Sequence, residues 1–253
     1  MKKTILVSIN RKPFPILLKG EHSPKEKKTA ATVSITARIP FEHEMDWHTI
    51  MLRLLHNHRD CVGIKTLHDN IADYMKSLNA DFVRVDFEYQ HFIEKRAPIS
   101  GELGWVVYPC TISARTPSVP SKTVASLKVD APILCQSILG VGDGPKEGIL
   151  TVTIESESDI QPDYLIDTID KMIPAPVYSF LKDEDKDFLI ETFKFCNDSM
   201  SETIRKLAEE LHKNKKIQWF TLSINEQSPE RPYYVSVSAN QGMITEEEYL
   251  EDF

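Results

Sequence analysis

The 253-residue sequence has no apolar run approaching the ~18 residues that a membrane-spanning helix requires. Its first apolar stretch, Thr4 to Ile9, is interrupted at Asn10-Arg11-Lys12. That is shorter than the ~7–15 residues of a signal-peptide core, and it alternates as a strand does. A cytoplasmic protein is the expectation. The four cysteines, Cys61, Cys110, Cys135 and Cys196, form no CxxC pair and read as thiols, not as a disulfide framework. Positive charge is also short: 30 Lys+Arg against 38 Asp+Glu give a net charge of −8. Sequence-independent nucleic-acid binding needs clustered cations, so the acidic balance argues against it. A local basic pocket for one phosphorylated ligand stays open.

What is present is an ordinary globular composition, 41% apolar and 27% charged, enough for one large domain or two smaller ones with real cores. The first half reads ββααββ. Residues 3–9 and Thr32–Ile39 alternate as strands. Trp47, Ile50, Met51, Leu54, Leu55 and His58 share a helical face, as do Leu67, Ile71, Met75 and Leu78, with Asn79 as a stop. Phe82–Ile93 and Gly104–Ala114 are long strands. After the proline-containing stretch Arg115–Ser121 the order repeats: Thr123–Asp130 and Gly148–Glu157 as strands, a helix from Pro162, and a helical region over 184–213 broken near Cys196-Asn197-Asp198. Ile217–Asn225 and Tyr233–Asn240 are the last strands. The expected class is α+β: two modules, 1–116 and 123–240, joined by linker 117–122 and followed by an acidic tail, 241–253. Each antiparallel sheet would have a helix pair on one face, and uncovered faces and edges predict assembly into a barrel of several chains, a homodimer or homotetramer.

Five strings stand in order along this plan: Lys95-Arg-Ala-Pro-Ile-Ser-Gly101, Val129-Asp-Ala-Pro-Ile-Leu-Cys135, Thr151-Val-Thr-Ile154, Ala175-Pro-Val-Tyr-Ser-Phe-Leu-Lys182 and Lys216-Ile-Gln-Trp-Phe220. Together they resemble the GTP cyclohydrolase IB family, built on the tunnelling fold (T-fold) from tandem ββααββ modules. The resemblance implies a purine or pterin nucleotide ligand, opening of the guanine imidazole ring to give dihydroneopterin triphosphate for folate or pterin biosynthesis, and a divalent metal such as zinc, manganese or iron. A metal-activated water calls for Cys, His and carboxylate donors, and holding the guanine edge calls for a carboxylate. By this resemblance Cys135 occupies the place of the family's metal cysteine. The metal histidine falls at Gly144, a carboxylate at Lys186 beside Glu184, Asp185 and Asp187, and the glutamate of the following helix at Ser201 beside Glu202. The closing histidine-containing string falls on Ser228–Tyr233, which has no histidine. The family's scaffold is matched and most of its catalytic set is not.

The candidates are therefore Cys135 as ligand or nucleophile, Glu202 at a purine edge, and Lys95 and Arg96 against a triphosphate. His56-Asn57-His58 with Cys61 has ligand-type residues, but i and i+2 on a helix diverge, so two histidines decorating a helix end is the simpler reading. Gly140-Val-Gly-Asp-Gly144 lacks a following Lys-Ser/Thr and reads as a hairpin loop. Asp183–Asp187 reads as a solvated helix N-terminus. His43, Asp46 and His48 carry no assignment. Three functions stay open: a divergent purine cyclohydrolase, a non-catalytic purine or pterin binder that could partner an active paralogue, and a T-fold enzyme using Cys135 as a thiolate nucleophile.

Overall fold

The computed structural model describes residues 3–18, 27–41, 45–60, 62–116, 123–135, 146–195, 199–226 and 235–242. Among these residues lie nine strands and five helices. In chain order they are β1 (Thr4–Leu18), β2 (Lys27–Pro40), α1 (Trp47–Asn57), α2 (Ile64–Leu78), β3 (Phe82–Arg96) and β4 (Leu103–Arg115). There follow β5 (Val124–Cys135), β6 (Lys146–Glu155), α3 (Pro162–Met172), β7 (Ala175–Pro176), α4 (Asp183–Phe195), α5 (Met200–Lys213), β8 (Trp219–Glu226) and β9 (Val235–Asn240). The strands hydrogen-bond in the order β1-β2-β3-β4-β5-β6-β8-β9, with β7 added beside β5. The expected α+β class with an antiparallel sheet is what the chain adopts.

Two compact units divide the chain: Met1–Gln90 with Cys110–Leu127 and Glu155–Gln161, and His91–Pro109 with Lys128–Ile154 and Pro162–Phe253. In the first, α2 lies against α1 and β2. Its apolar stripe, Ile64, Leu67, Ile71, Tyr74 and Leu78, is buried, and the helix ends at Asn79 in the left-handed region (φ 48°). Asn tolerates that conformation, and Ala80 N–H closes on Met75 O at 2.9 Å. Val33, Ile35 and Ala37 of β2 and Val83, Val85 and Phe87 of β3 supply the sheet side of this core.

Strand β1 runs nine residues beyond its expected end. Ile9 pairs with Ile35 and Lys12 with Val33, so Asn10 and Arg11 together oppose Ser34. This is a β-bulge, with Arg11 at φ 51° and its N–H donating to Ser34 Oγ at 3.1 Å. The polar triplet that looks like a strand end is instead a kink within the strand. Pro13 and Pro15 follow without breaking it, because β1 ends the strand order and, among the described residues, has no ladder on its outer side.

In the second unit, α3 packs on α5, and α5 packs on β8 and β9. Helix α5 begins with Ser199 as N-cap, its hydroxyl accepting from Glu202 N–H at 3.2 Å. Met200, Ile204, Leu207, Ala208 and Leu211 turn inward from it. Helix α4 is the addition to the plain ββααββ order. It sits on β7 through Ala175, Leu189 and Phe193, with Leu134, Tyr178 and Leu181 around them.

Candidate functional site

Strands place side chains on alternate faces, and this decides where the sequence-singled residues point. Cys135, the last residue of β5, falls on the inward face with Leu127, Val129, Ala131 and Ile133. Glu226 ends β8 on the inward face with Phe220, Leu222 and Ile224. Gly148 of β6 lies between them: a Cβ there would stand 3.3 Å from Cys135 Sγ and 3.0 Å from Asn225 O. The missing side chain is what lets the thiol and the end of β8 approach. Burial, with the Glu226 charge adding to it, pushes the Cys135 thiol up to about 11. At neutral pH the sulfur is a protonated thiol, the form that does not attack as a nucleophile; a bound divalent ion would displace that proton. Both residues lead into segments outside the described residues, 136–145 and 227–234.

Glu226 was not singled out in the sequence, although a signal exists. It extends the buried alternation Phe220, Leu222, Ile224 by one charged residue, and a carboxylate at a core parity position rarely lacks a purpose.

Lys95 and Arg96 do not converge. Lys95 faces inward, its Nζ 2.5 Å from Asp170 Oδ2 of α3 and 5.3 Å from the Tyr108 ring centroid. Burial raises the Asp170 carboxyl against the lowering effect of Lys95, and desolvation likewise raises Tyr108. Arg96 lies exposed on the opposite face. Glu202 is held by Arg205, whose Nη2 donates to Oε1 at 2.6 Å and Nε to Oε2 at 3.1 Å. That pair lowers the Glu202 carboxyl and occupies both of its oxygens.

The acidic stretch after Lys182 divides. Asp183 pairs with Lys186 on the helix surface at 2.9 Å, whereas Asp185 is fully buried. Asp185 Oδ1 accepts from the backbone N–H groups of Ile99 and Ser100, each at 2.9 Å, and Oδ2 accepts from Ser100 Oγ at 2.6 Å and Lys182 N–H at 3.0 Å. Desolvation raises this carboxyl, but the Ser100 hydroxyl and the three amides outweigh it and hold the group below the ordinary carboxylate range. One residue of the expected solvated helix start is thus a structural anchor between α4 and the β3–β4 turn.

The remaining candidates scatter. The His56 ring stacks edge-on with Phe14, while His58 reaches Asp73 at 3.3 Å and Tyr74. Asp46 caps α1 by accepting from Thr49 N–H at 3.1 Å, and His48 lies edge-on to Trp47. Cys61, His43, Gly140–Gly144 and Ser228–Tyr233 lie outside the described residues. Among the described residues, no three of His, Cys, Asp and Glu come together as a metal would require. Cys135 and Glu226 offer two donors at most. By themselves the described residues do not fit a divalent ion. No helix among them is long and apolar enough to cross a membrane.

Comparison with known proteins places this geometry. A family model described as Type I GTP cyclohydrolase folE2 matches residues 7–230. Two proteins named GTP cyclohydrolase FolE2 are among the similar sequences. The one from Geotalea uraniireducens (strain Rf4) is 24% identical over 212 residues, covering 83% of this chain and 78% of its own. The one from Pseudothermotoga lettingae is 22% identical over 221 residues, covering 86% and 85%. Among solved structures, a uricase from Bacillus fastidious superposes with a TM-score of 0.57 at 11% identity, covering 98% of this chain and 96% of its own. The uricase from Arthrobacter globiformis gives 0.56 at 9% identity, covering 95% and 94%. These two share the fold, the T-fold expected from the sequence. The family description is FolE2, where the sequence strings had pointed to type IB.

Proposed function

Because this chain belongs to the Type I GTP cyclohydrolase FolE2 family, matched from residue 7 to residue 230, we propose that it takes a purine nucleotide of the GTP type as its ligand. The observation that carries this reading is the extent of the match, which spans nearly every element of the fold and is not confined to one short string. The chemistry is sought at the β5–β6–β8 strand ends, where Cys135, Gly148 and Glu226 meet.

A second reading concerns what happens to the nucleotide. The name of the relatives favours hydrolytic opening of the guanine ring. The scatter of the remaining candidates favours binding without ring opening. One experiment separates the two. Purified protein is incubated with GTP, with and without added Mn²⁺ or Zn²⁺, and turnover is followed by the fluorescence of the oxidised pterin; equilibrium binding is measured alongside by calorimetry. Binding with turnover establishes a cyclohydrolase, and binding without turnover establishes a non-catalytic member. Failure to bind GTP, GDP or neopterin overturns the proposal.

A further inference from the structure

Near its end, β1 is joined on its outer edge by the connection that leaves α1. Leu17 N–H donates to Arg59 O at 3.0 Å, and Val62 N–H donates to Leu17 O at 2.7 Å. Leu18 and Val62 form a single parallel bridge. These backbone bonds bring Arg59 and Asp60 beside the strand, while Lys28 of β2 pairs with Leu17 from the other side. A cavity of about 210 Å³ lies there, lined by Pro15, Ile16, Leu17, Lys28, Arg59 and Asp60. All six residues belong to the first unit. The three from β1 give it an apolar wall, and Ile16 is almost fully buried. At ~30 Å³ per water the volume corresponds to about seven waters, or to an organic molecule of about ten non-hydrogen atoms. The charges at its rim are short of partners. Arg59 Nε stands 3.7 Å from Asp60 Oδ1, too far for a hydrogen bond. Among the described residues, no carboxylate pairs with Lys28. By contrast Arg38, Arg84 and Lys65 of the same unit each lie within 2.8 Å of a carboxylate.

We propose that this cavity binds a small organic carboxylate, an anion with a compact apolar body. The lining identifies the class. Lys28 and Arg59 bring two positive charges and Asp60 one negative, so one positive charge is left over, and a single carboxylate neutralises it. A guanidinium whose donors are not already taken can hold a carboxylate by two parallel N–H bonds. The apolar body of the same molecule then covers Pro15, Ile16 and Leu17, which removes apolar surface from water. A phosphate dianion would bring one charge too many, and an organic cation would meet two like charges. Against a chain of net charge −8, an anion is held only where cations gather locally. This inference does not depend on the nucleotide reading, because Cys135, Gly148 and Glu226 all belong to the second unit.

The probe is 4-fluorophenylacetate, titrated with the full chain and followed by the shift and width of its fluorine resonance. A saturable change is expected, with a dissociation constant of about 1 mM for a ligand of so few atoms, and unlabelled phenylacetate should displace it. Arg59→Ala and, separately, Lys28→Ala are each expected to raise that constant about threefold or more, and the two together about tenfold. Both positions are exposed, so the melting temperature should stay at the wild-type value. If either variant melts lower, Pro15→Glu, which puts a like charge on the apolar wall, carries the test. 4-Fluorobenzylamine and 4-fluorophenyl phosphate are expected to bind more weakly than the carboxylate, and saturating GTP to leave the titration unchanged. The absence of a saturable change overturns the proposal, as does a constant that Arg59→Ala, Lys28→Ala and Pro15→Glu all leave unmoved. So does an amine or phosphate that binds as tightly as the carboxylate. Displacement by GTP overturns it too, and returns the signal to the nucleotide site.

Discussion

A thiol is a nucleophile only as a thiolate, and the surroundings of Cys135 work against that form. Desolvation and the Glu226 charge both favour the neutral sulfur, with its titration pushed up to about 11. Iodoacetamide labelling followed by peptide mass spectrometry is expected to find Cys135 almost unmodified at pH 8 in the native chain and fully modified in urea. Native labelling should rise only as pH approaches 11. Labelling at pH 7 comparable with that of the unfolded chain would reinstate the nucleophile. Lys95 shows the opposite residue-scale lesson, a cation whose function is internal. Its ion pair with Asp170 is partly sequestered between β3 and α3, so Lys95→Met strands a carboxylate and is expected to cost ~3–5 kcal/mol in denaturant unfolding. Replacing both residues, as Lys95→Met/Asp170→Leu, should cost much less, because the stranded charge goes with them. A loss below ~1 kcal/mol for the single variant would mean the pair is not desolvated, and Lys95 would return to the ligand candidates.

At the scale of elements, the legible parts were those whose signal is periodic. Helices α1, α2, α3 and α5 and the inward faces of β2, β3 and β4 follow directly from the spacing of their apolar residues. What periodicity missed was held by pairing or by single polar contacts. The bulge at Asn10-Arg11 hides the continuation of β1, β7 is two residues long, and α4 is fixed by a buried carboxylate among charged neighbours. No composition rule separates Asp185 from Asp183 or Asp187, because its role depends on the Ile99 and Ser100 amides, 86 and 85 residues away in the chain. Since α4 and the β3–β4 turn meet through Asp185, Asp185→Asn is expected to lower the melting temperature and to raise hydrogen exchange at Ile99 and Ser100 together. The pH sign is fixed by the depressed carboxyl. Its contribution is complete above the unfolded value near 3.8 and is lost as pH falls toward and through the lower folded value. The wild-type advantage over Asp185→Asn should therefore hold from neutral pH to about 4 and shrink below it. An advantage independent of pH would show that the carboxylate form is not what anchors the turn.

For the whole molecule, the fold was more legible than the chemistry, and the reason is physical. A fold is specified redundantly by dozens of buried positions, so five short strings in register were enough to find it. A site rests on a few donors, and one substitution at Gly144 or along Ser228–Tyr233 is enough to remove its signature. Whether other donors replace them has a consequence for the entire chain's stability. An ion that binds only the folded state stabilises by mass action, as does a nucleotide. If the strand ends of β5, β6 and β8 hold no structural ion, EDTA should leave the melting temperature of the purified chain unchanged. GTP at 100 times its dissociation constant should add about 2.7 kcal/mol. For a chain of 253 residues that corresponds to a rise of about 5–10 °C where melting is reversible, and ATP at the same concentration should give less. A fall of several degrees with EDTA, reversed by stoichiometric zinc or manganese, would show that the folded chain holds a structural ion. It would also move this chain from nucleotide binder to hydrolase, because an ion held that tightly beside a purine site supplies the activated water that the protonated thiol alone cannot.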